Sequence, residues 1–457
     1  MNVLLCNLPS FSPRKFCREI MGGFGLEVGD SLLYPPLPLA WQAAILEREG
    51  VNVTLIDGEA QDLDAIAILS RILRAQPRLV GVISSLVTLD TDLAFAKRIK
   101  ETCPKALVYF TGPIVHLYAE RILAHGACDF TIDSQNDDKP LELVRAIEAG
   151  TVPDLAGISW RDGHALHTNP PDPRVIDVAT LPLPARHLLP NERYHIAGMR
   201  GPITTVQTGR GCPFACDLCA YEFSQGSHYR TRPIADVMAE LEDIVHVHGV
   251  KNIVFRDITF TVNRKRVIEL ADAIIDARLG ITFWAETTLN LVDNELLTKL
   301  ACAGLDAMSF GVETGGTEQQ AAHWKNKLPS LDRAKEVFDI CRKLGIKTRG
   351  YFVVGAPGDT PESLHETRAW ARILRPTTLQ FLPYRELPAD PDTYTLVDAA
   401  TLSAIKKSYL SYYLTPANLV HQLAEPRLFA NRIRRFLGLR ASLSLRSRRV
   451  LMRALAR

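Results

Sequence analysis

The strongest constraint on the fold is an alternation of short apolar runs with amphipathic segments, which occurs twice along the 457 residues. Apolar runs such as LVGVISS at 79–85 are typical of parallel strands that are buried on both faces. In the first stretch, strands are predicted at 2–9, 51–58, 79–85, 106–112 and 129–133, and helices at about 38–49, 62–76, 90–102, 117–125 and 140–149. We therefore expect an N-terminal doubly wound α/β domain, flavodoxin- or Rossmann-like, over 1–149.

The second alternation begins after a proline-rich stretch. Residues 150–200 are predicted to form a linker with a short hairpin around Asp162 and Gly163. Beyond it, strands are predicted at 203–208, 252–257, 282–287, 307–313, 348–355 and 378–384, and helices at about 236–248, 263–279, 293–303, 331–344 and 360–373. Six β/α units are too few for a closed eight-stranded barrel, so we expect a partial (β/α)6 barrel over 201–385, with its chemistry at the carboxyl ends of the strands. A small helical region is expected over 386–457.

The net charge of +2 hides two unlike parts. Residues 426–457 contain ten arginines and no Lys, Asp or Glu, so residues 1–425 carry a net charge of −8. A mildly acidic body argues against a nucleic-acid-binding core. No apolar stretch is long enough to span a membrane, and the N-terminus is expected to be a first strand rather than a signal peptide, which predicts a reducing, cytoplasmic location.

Three of the nine cysteines lie together, directly after the 203–208 strand. In GRGCPFACDLCAY, Cys212, Cys216 and Cys219 follow a C-x3-C-x2-C spacing. Three thiolates on one loop can hold three irons of a cubane cluster and leave the fourth iron open to another ligand. A structural zinc site needs four protein ligands, and the alternative here is a zinc site completed by His228.

This motif at the end of the first strand of a six-unit partial barrel resembles the radical S-adenosylmethionine (SAM) superfamily. In that superfamily the open iron of a [4Fe-4S] cluster chelates SAM, and one-electron reduction splits SAM into methionine and a 5′-deoxyadenosyl radical. The resemblance continues through FRDITF, FWAETT, SFGVETG and YFVVGAPGDT at the later strand ends. It implies SAM contacts from Leu218, Asp257, Glu286, Glu313, Gly355 and Pro357, and a basic residue at Lys327. Asp359 stands where that family's glycine-rich loop has Glu.

The order of the domains resembles the cobalamin (B12)-binding subfamily, which places an α/β domain before the barrel and holds the corrin ring between the two. The segments YPPLPLAWQAAILEREGVNVTLID and SYLSYYLTPANL carry the resemblance at the two ends. No D-x-H-x-x-G motif is present, so the resemblance implies a lower-face floor without a cobalt-ligating histidine from that motif. The implied floor residues are Ser84, Ser85, Thr88, Gly112 and Pro113. Ile114 stands where the subfamily often has His, and His116 follows two residues later.

The resemblance implies a methyltransferase that moves methyl from SAM through methylcobalamin to an unactivated carbon or phosphorus of a small molecule, using the 5′-deoxyadenosyl radical. It also implies a flavodoxin- or ferredoxin-type electron donor. The residues expected to line the substrate mouth are Tyr221, Glu222, His228, Tyr229, Tyr384 and Arg385.

Three other functions remain open from the sequence. A cobalamin-dependent cyclase or rearranging enzyme would share all these motifs. A methylthiotransferase needs a second cluster from three N-terminal cysteines, for which Cys6, Cys17, Cys103 and Cys128 are candidates. The third is a non-enzymatic corrin- or iron-binding protein. The arginine-rich tail is expected either to dock on the acidic body or to contact a membrane surface.

Overall fold

The structure is a computed structural model that divides the chain into two compact units, one formed by Met1–Gly201 and the other by Pro202–Ala424. The residues that it describes are 1–418 apart from 12–14, 134, 152–154, 173–174, 215, 217–218, 317–322, 325–329, 388–396 and 416–417. Leu218, Lys327 and the arginine-rich tail lie outside the described residues. Within the part that is described, each helix is too short or too polar to cross a membrane.

The first unit is built around one seven-stranded sheet. The strands of this unit are β1 (Asn2–Asn7), β2 (Phe16–Cys17), β3 (Leu26–Glu27), β4 (Leu32–Leu33), β5 (Asn52–Asp57), β6 (Leu79–Ile83), β7 (Leu107–Gly112), β8 (Phe130–Asp133), β9 (Ile158–Asp162), β10 (Ala165–His167) and β11 (His195–Ile196). Its helices are α1 (Leu37–Arg48), α2 (Ala65–Ala75), α3 (Leu89–Thr102), α4 (Ala119–Ala124) and α5 (Lys139–Ala149).

The strand order of the large sheet is β10-β9-β8-β7-β6-β1-β5, and the pairs from β5 to β8 are parallel. This is the flavodoxin-like strand order. The chain adds strands on one side of β1 first and then on the other, and ligands of such sheets bind beyond the carboxyl ends of β1 and β6, where this switch occurs. The predicted doubly wound domain is confirmed. The hairpin expected around Asp162 and Gly163 is also present, as the antiparallel pair β9–β10 on the same sheet.

The second unit contains eight strands and seven helices among the described residues. Its strands are β12 (Ile203–Val206), β13 (Gly209–Arg210), β14 (Arg230–Thr231), β15 (Asn252–Phe255), β16 (Thr282–Thr287), β17 (Leu305–Glu313), β18 (Lys347–Val354) and β19 (Thr378–Pro383). Its helices are α6 (Tyr221–Gln225), α7 (Ile234–His246), α8 (Arg264–Ala277), α9 (Asn294–Cys302), α10 (Leu331–Lys343), α11 (Pro361–Leu374) and α12 (Ala399–Tyr413).

Six parallel strands of this unit pair in chain order, β12-β15-β16-β17-β18-β19, with helices between most of them. Side chains alternate along each strand because successive residues point to opposite faces. On β18, Phe352 and Val354 join the apolar core under the helices, whereas Arg349, Tyr351 and Val353 occupy the alternate positions on the opposite face. The predicted partial (β/α)6 barrel is confirmed, and α12 supplies the helix expected in the C-terminal region.

Asp57 lies fully buried at the carboxyl end of β5. Its carboxylate accepts hydrogen bonds from Asn7 Nδ2 (2.9 Å), the Ala60 N–H (3.1 Å) and the Tyr194 hydroxyl (2.9 Å). These bonds connect β1, β5 and the chain near β11. The carboxylate therefore holds three segments of the first unit together at the strand ends.

This carboxylate gives the first unit a specific dependence on pH. Burial raises the pKa of Asp57 from its ordinary value of 3.8 to about 6, against the opposing effect of its hydrogen bonds. The folded chain thus binds this proton more tightly than the unfolded chain, and the contribution to stability falls as pH rises through the folded pKa, by about 1 kcal/mol between pH 5 and pH 7.5. We expect the Asp57→Asn variant to lose this pH-dependent contribution to stability. Its melting temperature should therefore lie further below that of the wild type at pH 5 than at pH 7.5. Equal deficits at the two pH values would contradict the assignment.

Candidate active site

The cysteine loop leaves the barrel through a tight pair of short strands. β13 and β14 are antiparallel, with Gly209 opposite Thr231 and Arg210 opposite Arg230. Gly211 follows at a φ of +87°, and a Cβ at this position would lie 2.0 Å from the carbonyl oxygen of His228. Only glycine allows this approach, because a side chain would collide with backbone. The close pairing therefore sets where the next residue, Cys212, begins the loop.

The cysteine loop contacts residues that follow two different barrel strands. Cys212 Sγ lies 3.3 Å from the hydroxyl of Thr259, which follows β15. Cys216 is buried in an apolar cluster with Trp324 and Ala356, and Cys219 packs against the same cluster. Since Ala356 directly follows β18 and its loop glycine, the structure brings the cysteine motif and the GAPGD motif together, as the sequence predicted.

Asp257 is buried two residues after β15 and holds the start of the cysteine loop. Its two carboxylate oxygens accept from the backbone N–H of Thr208 (2.7 Å) and from the Thr208 hydroxyl (2.6 Å). Burial raises the pKa of Asp257 to about 6, while the bonds from Thr208 and the nearby Arg266 and Arg232 lower it. The structure thus gives this side chain a positioning role between two strand ends. Its predicted contact with SAM stays a prediction.

Glu286, at the end of β16, belongs to a polar group on the interior face of the barrel. Tyr351 of β18 donates to Glu286 Oε1 (3.1 Å), and burial together with Glu286 raises the pKa of Tyr351. Burial also raises the pKa of Tyr221, which Arg256 opposes and Glu286 reinforces. Tyr221 comes two residues after Cys219, so this group lies next to the cysteine loop.

Glu313 ends β17 in a strained conformation. Its φ of +64° is unusual for a residue with a side chain, and the pairing with β18 shifts register between Gly311 and Glu313. The following Thr314 is buried and its hydroxyl lies 3.2 Å from that of Thr367 on α11. Strain of this kind costs about 1–3 kcal/mol and persists where neighbouring structure enforces it, which often marks a binding site.

The loop after β18 is closed by Asp359, the residue that replaces Glu in the motif. Its Oδ2 accepts from the N–H groups of Gly355 (2.6 Å) and Ala356 (3.2 Å), and its Oδ1 accepts from the Ser363 hydroxyl (3.1 Å). The carbonyl of Pro357 lies 3.3 Å from His323 Nε2. The shorter carboxylate therefore still closes the loop from within.

The residues expected to line the substrate mouth divide into two groups. Tyr221 lies beside Glu286, and Tyr384 packs on the cluster that holds Cys216. Tyr229 instead lies beside Arg266 and Asp257, and burial raises its pKa to about 12. Glu222 and His228 are exposed, and Arg385 is half-buried. Tyr221 follows Cys219 by two residues and Tyr384 packs on the cluster that holds Cys216, so the side chains of both lie beside the cysteine loop.

In the first unit, the predicted floor residues lie together at the β1/β6 switch point and beside it. Ser84, Ser85 and Thr88 are buried, and a Cβ at Gly112 would lie 2.3 Å from the Ser84 carbonyl oxygen. Ser84 Oγ and Thr88 Oγ1 both donate to Asp92 Oδ2 (2.8 and 2.7 Å), and Ser85 Oγ lies 3.0 Å from Thr88 Oγ1. The three hydroxyls are therefore occupied by the protein itself.

Sequence reasoning missed the charged pair at the centre of this edge. Arg18 and Asp92 are both buried, and Arg18 Nη2 donates to Asp92 Oδ1 at 2.7 Å. Arg18 Nη1 also donates to the carbonyl of Leu8 (2.7 Å) and to Asn7 Oδ1 (3.2 Å). Removing one partner of such a pair costs about 3–5 kcal/mol, because the other charge is left buried and unpaired. The two residues are 74 positions apart, so no local pattern indicates the pairing.

His116 lies two residues beyond the buried Ile114 at the same edge. Its Nδ1 is buried and has no hydrogen-bond partner among the described residues. Burial lowers the pKa of His116, while Asp133 at the end of β8 raises it. His116 thus carries an unsatisfied polar atom close to the edge where ligands of such sheets bind.

Comparison with known protein families matches both units separately. A model described as the B12 binding domain matches residues 31–163, and a model described as the Radical SAM superfamily matches residues 206–371. The chain therefore combines a B12 binding domain with a radical SAM domain, as cobalamin-binding radical SAM proteins do. The relationship implied by the sequence motifs is thereby confirmed.

Alignments with similar proteins cover most of this chain. It is 28% identical to an uncharacterized methyltransferase of Pyrococcus horikoshii, over 86% of this chain and 90% of the relative. It is 26% identical to the anaerobic magnesium-protoporphyrin IX monomethyl ester cyclase of Rubrivivax gelatinosus, over 78% of this chain and 65% of the relative. Among solved structures, the radical SAM methyltransferase TsrM of Kitasatospora setae, with cobalamin and a [4Fe-4S] cluster bound, has a TM-score of 0.67 at 19% identity, over 85% of this chain and 73% of that one. That likeness confirms the fold.

The donor set of the radical SAM unit fits an iron–sulfur cluster. Among the described residues, no group of three His, Cys, Asp or Glu side chains is arranged to hold a single metal ion. In a cubane cluster each thiolate binds a different iron, so the sulfur atoms need to share a loop and not a common point. Cys212, Cys216 and Cys219 meet that requirement.

The cysteines of the first unit do not form a comparable group. Cys6 lies in β1, Cys17 in β2, and Cys103 and Cys128 follow α3 and α4. Burial raises the pKa of both Cys6 and Cys128, which keeps them as neutral thiols. Among the described residues, these four cysteines therefore lie on separate elements and not on one loop.

The close contact between Gly211 and the His228 carbonyl predicts that a larger residue at position 211 lowers the amount of cluster bound. Gly211→Ala adds a Cβ against the His228 carbonyl and a φ that alanine rarely adopts, at a cost of about 1–3 kcal/mol. We expect roughly threefold less iron and sulfide per chain after anaerobic reconstitution. Gly249→Ala is the matched control, since Gly249 also has a positive φ (+68°) but open space around it. Equal cluster content in the two variants would contradict the role of this approach.

Proposed function

We propose that the protein is a cobalamin-dependent radical SAM methyltransferase that transfers a methyl group from SAM to an unactivated carbon or phosphorus of a small molecule. The observation that carries this proposal is the cysteine loop at the carboxyl end of a (β/α)6 barrel, with three thiolates from the chain and so one iron left for SAM. The B12 binding domain in the same chain supplies the second argument. An unactivated carbon accepts a methyl cation from SAM poorly, and cobalamin provides an alternative methyl carrier.

When bound, the [4Fe-4S] cluster, SAM and cobalamin supply the electron transfer, the radical and the methyl carrier. The chain's own residues hold and orient these groups. Cys212, Cys216 and Cys219 are the proposed cluster ligands, and Asp257 fixes the start of their loop through Thr208. The proposed SAM contacts are Glu286, Glu313, Gly355 and Pro357, all at the ends of β16, β17 and β18.

The proposed substrate pocket lies on the interior face of the barrel beside the cysteine loop. Tyr221, Glu286 and Tyr351 form a polar group there, and Tyr384 adds an aromatic wall next to Cys216. These side chains can donate and accept hydrogen bonds. Such a pocket suits a small molecule with polar groups.

The proposed activity also requires a flavodoxin- or ferredoxin-type electron donor to reduce the cluster.

A second candidate is a ring-forming enzyme, favoured by the 26% identity to a cyclase. The products of SAM separate the two. Methylation yields S-adenosylhomocysteine together with 5′-deoxyadenosine, whereas a radical cyclisation yields 5′-deoxyadenosine alone. We propose incubating the reconstituted protein with cobalamin, SAM, reductant and metabolite extract, and following both nucleosides together with new masses shifted by one methylene. 5′-Deoxyadenosine without S-adenosylhomocysteine would support the cyclase.

Loss of one thiolate tests the cluster directly. We expect Cys212→Ser to lose the cubane signal in electron paramagnetic resonance spectra of the reduced protein, and with it the change in that signal on adding SAM. 5′-Deoxyadenosine formation should fall by at least about 100-fold, because the radical source is removed. Cys302→Ser is the control, since Cys302 is exposed at the end of α9 and outside the loop. A cubane signal in wild type that does not respond to SAM would refute the proposed function.

A further inference from the structure

A glycine-rich stretch of the first unit covers part of the predicted corrin floor. We call residues 18–25 the edge segment; it precedes the region matched by the B12 binding domain model, which begins at residue 31. A Cβ at Gly23 would lie 2.3 Å from Pro113 Cβ, and a Cβ at Gly25 would lie 2.7 Å from Ser85 Oγ. The N–H of Val87 donates to the carbonyl of Phe24 at 3.2 Å. The edge segment is thus in direct contact with two residues of the predicted floor.

Arg18 holds the beginning of the edge segment in place. Its side chain is 3% exposed and Asp92 is 0% exposed. The guanidinium donates to Asp92 and also to Leu8 and Asn7, which follow and end β1. Asp92 in turn accepts from Ser84 and Thr88. One buried pair therefore connects the edge segment to both strand ends at the β1/β6 switch point.

This arrangement decides what a flat ligand at the edge would meet. The hydroxyls of Ser84, Ser85 and Thr88 are buried beneath the edge segment and bonded within the protein. To reach them, a ring would have to displace the segment together with Arg18, which would leave Asp92 buried without its partner charge. The outer face of the edge segment requires no such rearrangement.

We propose that Arg18 is a positioning residue of the cobalamin site: paired with Asp92, it holds the edge segment against Ser85 and Pro113, and this segment forms the floor on which the corrin ring rests. The inference rests on the proposed function, because it takes cobalamin as the ligand of this edge. His116, whose buried Nδ1 has no hydrogen-bond partner among the described residues, lies in the short 3-10 helix that follows Pro113.

Hydrogen exchange in the wild-type chain tests the position of the segment without any substitution. The reporters are the N–H of Val87, bonded to Phe24, and the N–H of Gly25, bonded to Ile20 at 3.2 Å. We expect aquacobalamin to slow exchange at both by about tenfold, because a ring resting on the segment stabilises these bonds. Faster exchange, which would mean that the segment is displaced to admit the ring, overturns the proposal, and so does unchanged exchange with cobalamin bound.

Variants of Arg18 test the pair itself. We expect Arg18→Gln to raise the dissociation constant for aquacobalamin, followed by visible absorbance, by about tenfold, while the cluster content of the radical SAM unit stays at the wild-type level. Arg18→Lys should restore part of the affinity because it retains the charge. Arg145→Gln is the control, since Arg145 pairs with Glu49 on the surface of the same unit.

Glycine variants keep the test independent of the ion pair. Gly25→Ala should weaken cobalamin binding, because its Cβ would press on Ser85 and Val87. Gly29→Ala should not, since Gly29 has a positive φ (+55°) but no atom within 4 Å of a Cβ. Equal affinities in these two variants would overturn the proposal. If the wild-type chain binds no corrin at all, the proposed function fails first, and that result is distinct from corrin binding with an unprotected segment.

Discussion

Both units depend on the same constraint: parallel strands bring all their carboxyl ends to one edge, where the following loops meet. Residues distant in sequence are gathered there without any long-range pairing signal. In the first unit the edge collects Asn7, Asp57, Ser84 and Gly112. In the second it collects the cysteine loop and the ends of β15, β16, β17 and β18. The chemistry is therefore assembled by topology first and by side-chain contacts second.

At both edges a carboxylate accepts hydrogen bonds from the loop that it positions. Asp257 accepts from Thr208, Asp359 from Gly355 and Ala356, and Asp57 from Ala60. A carboxylate that accepts hydrogen bonds from backbone N–H groups forms stronger bonds than a neutral acceptor, but burial destabilises its charged form. The raised pKa values of Asp57 and Asp257 express that cost. These residues fix loops, and the fixed loops present glycines, thiols and hydroxyls to a ligand.

Much of the fold was predictable because its signals are local. Continuous apolar runs predicted the parallel strands, and the cysteine spacing predicted the reactive loop. The connection between β1 and α1 was not predicted, since it consists of short pairs such as β2–β3 whose two-residue strands leave no periodic pattern. Arg18 lies in that connection and Asp92 lies on α3, which follows β6. Their pairing therefore depends on the path of the connection and on β1 and β6 being neighbours in the sheet. The predicted roles of Ser84, Ser85 and Thr88 came from resemblance alone, which does not show that their hydroxyls bond within the protein.

Gly355 illustrates how the end of the described chain contributes to the mouth of the barrel. A Cβ at Gly355 would lie 2.8 Å from the hydroxyl of Thr401 on α12, and the N–H of Phe381 donates to the Tyr409 hydroxyl of the same helix at 3.1 Å. Helix α12 thus packs against the first residue of the loop after β18 and accepts a hydrogen bond from a backbone N–H of β19. A protein shortened before residue 399 would lose this contact with Gly355 and leave the sixth strand of the sheet without the helix that packs on it.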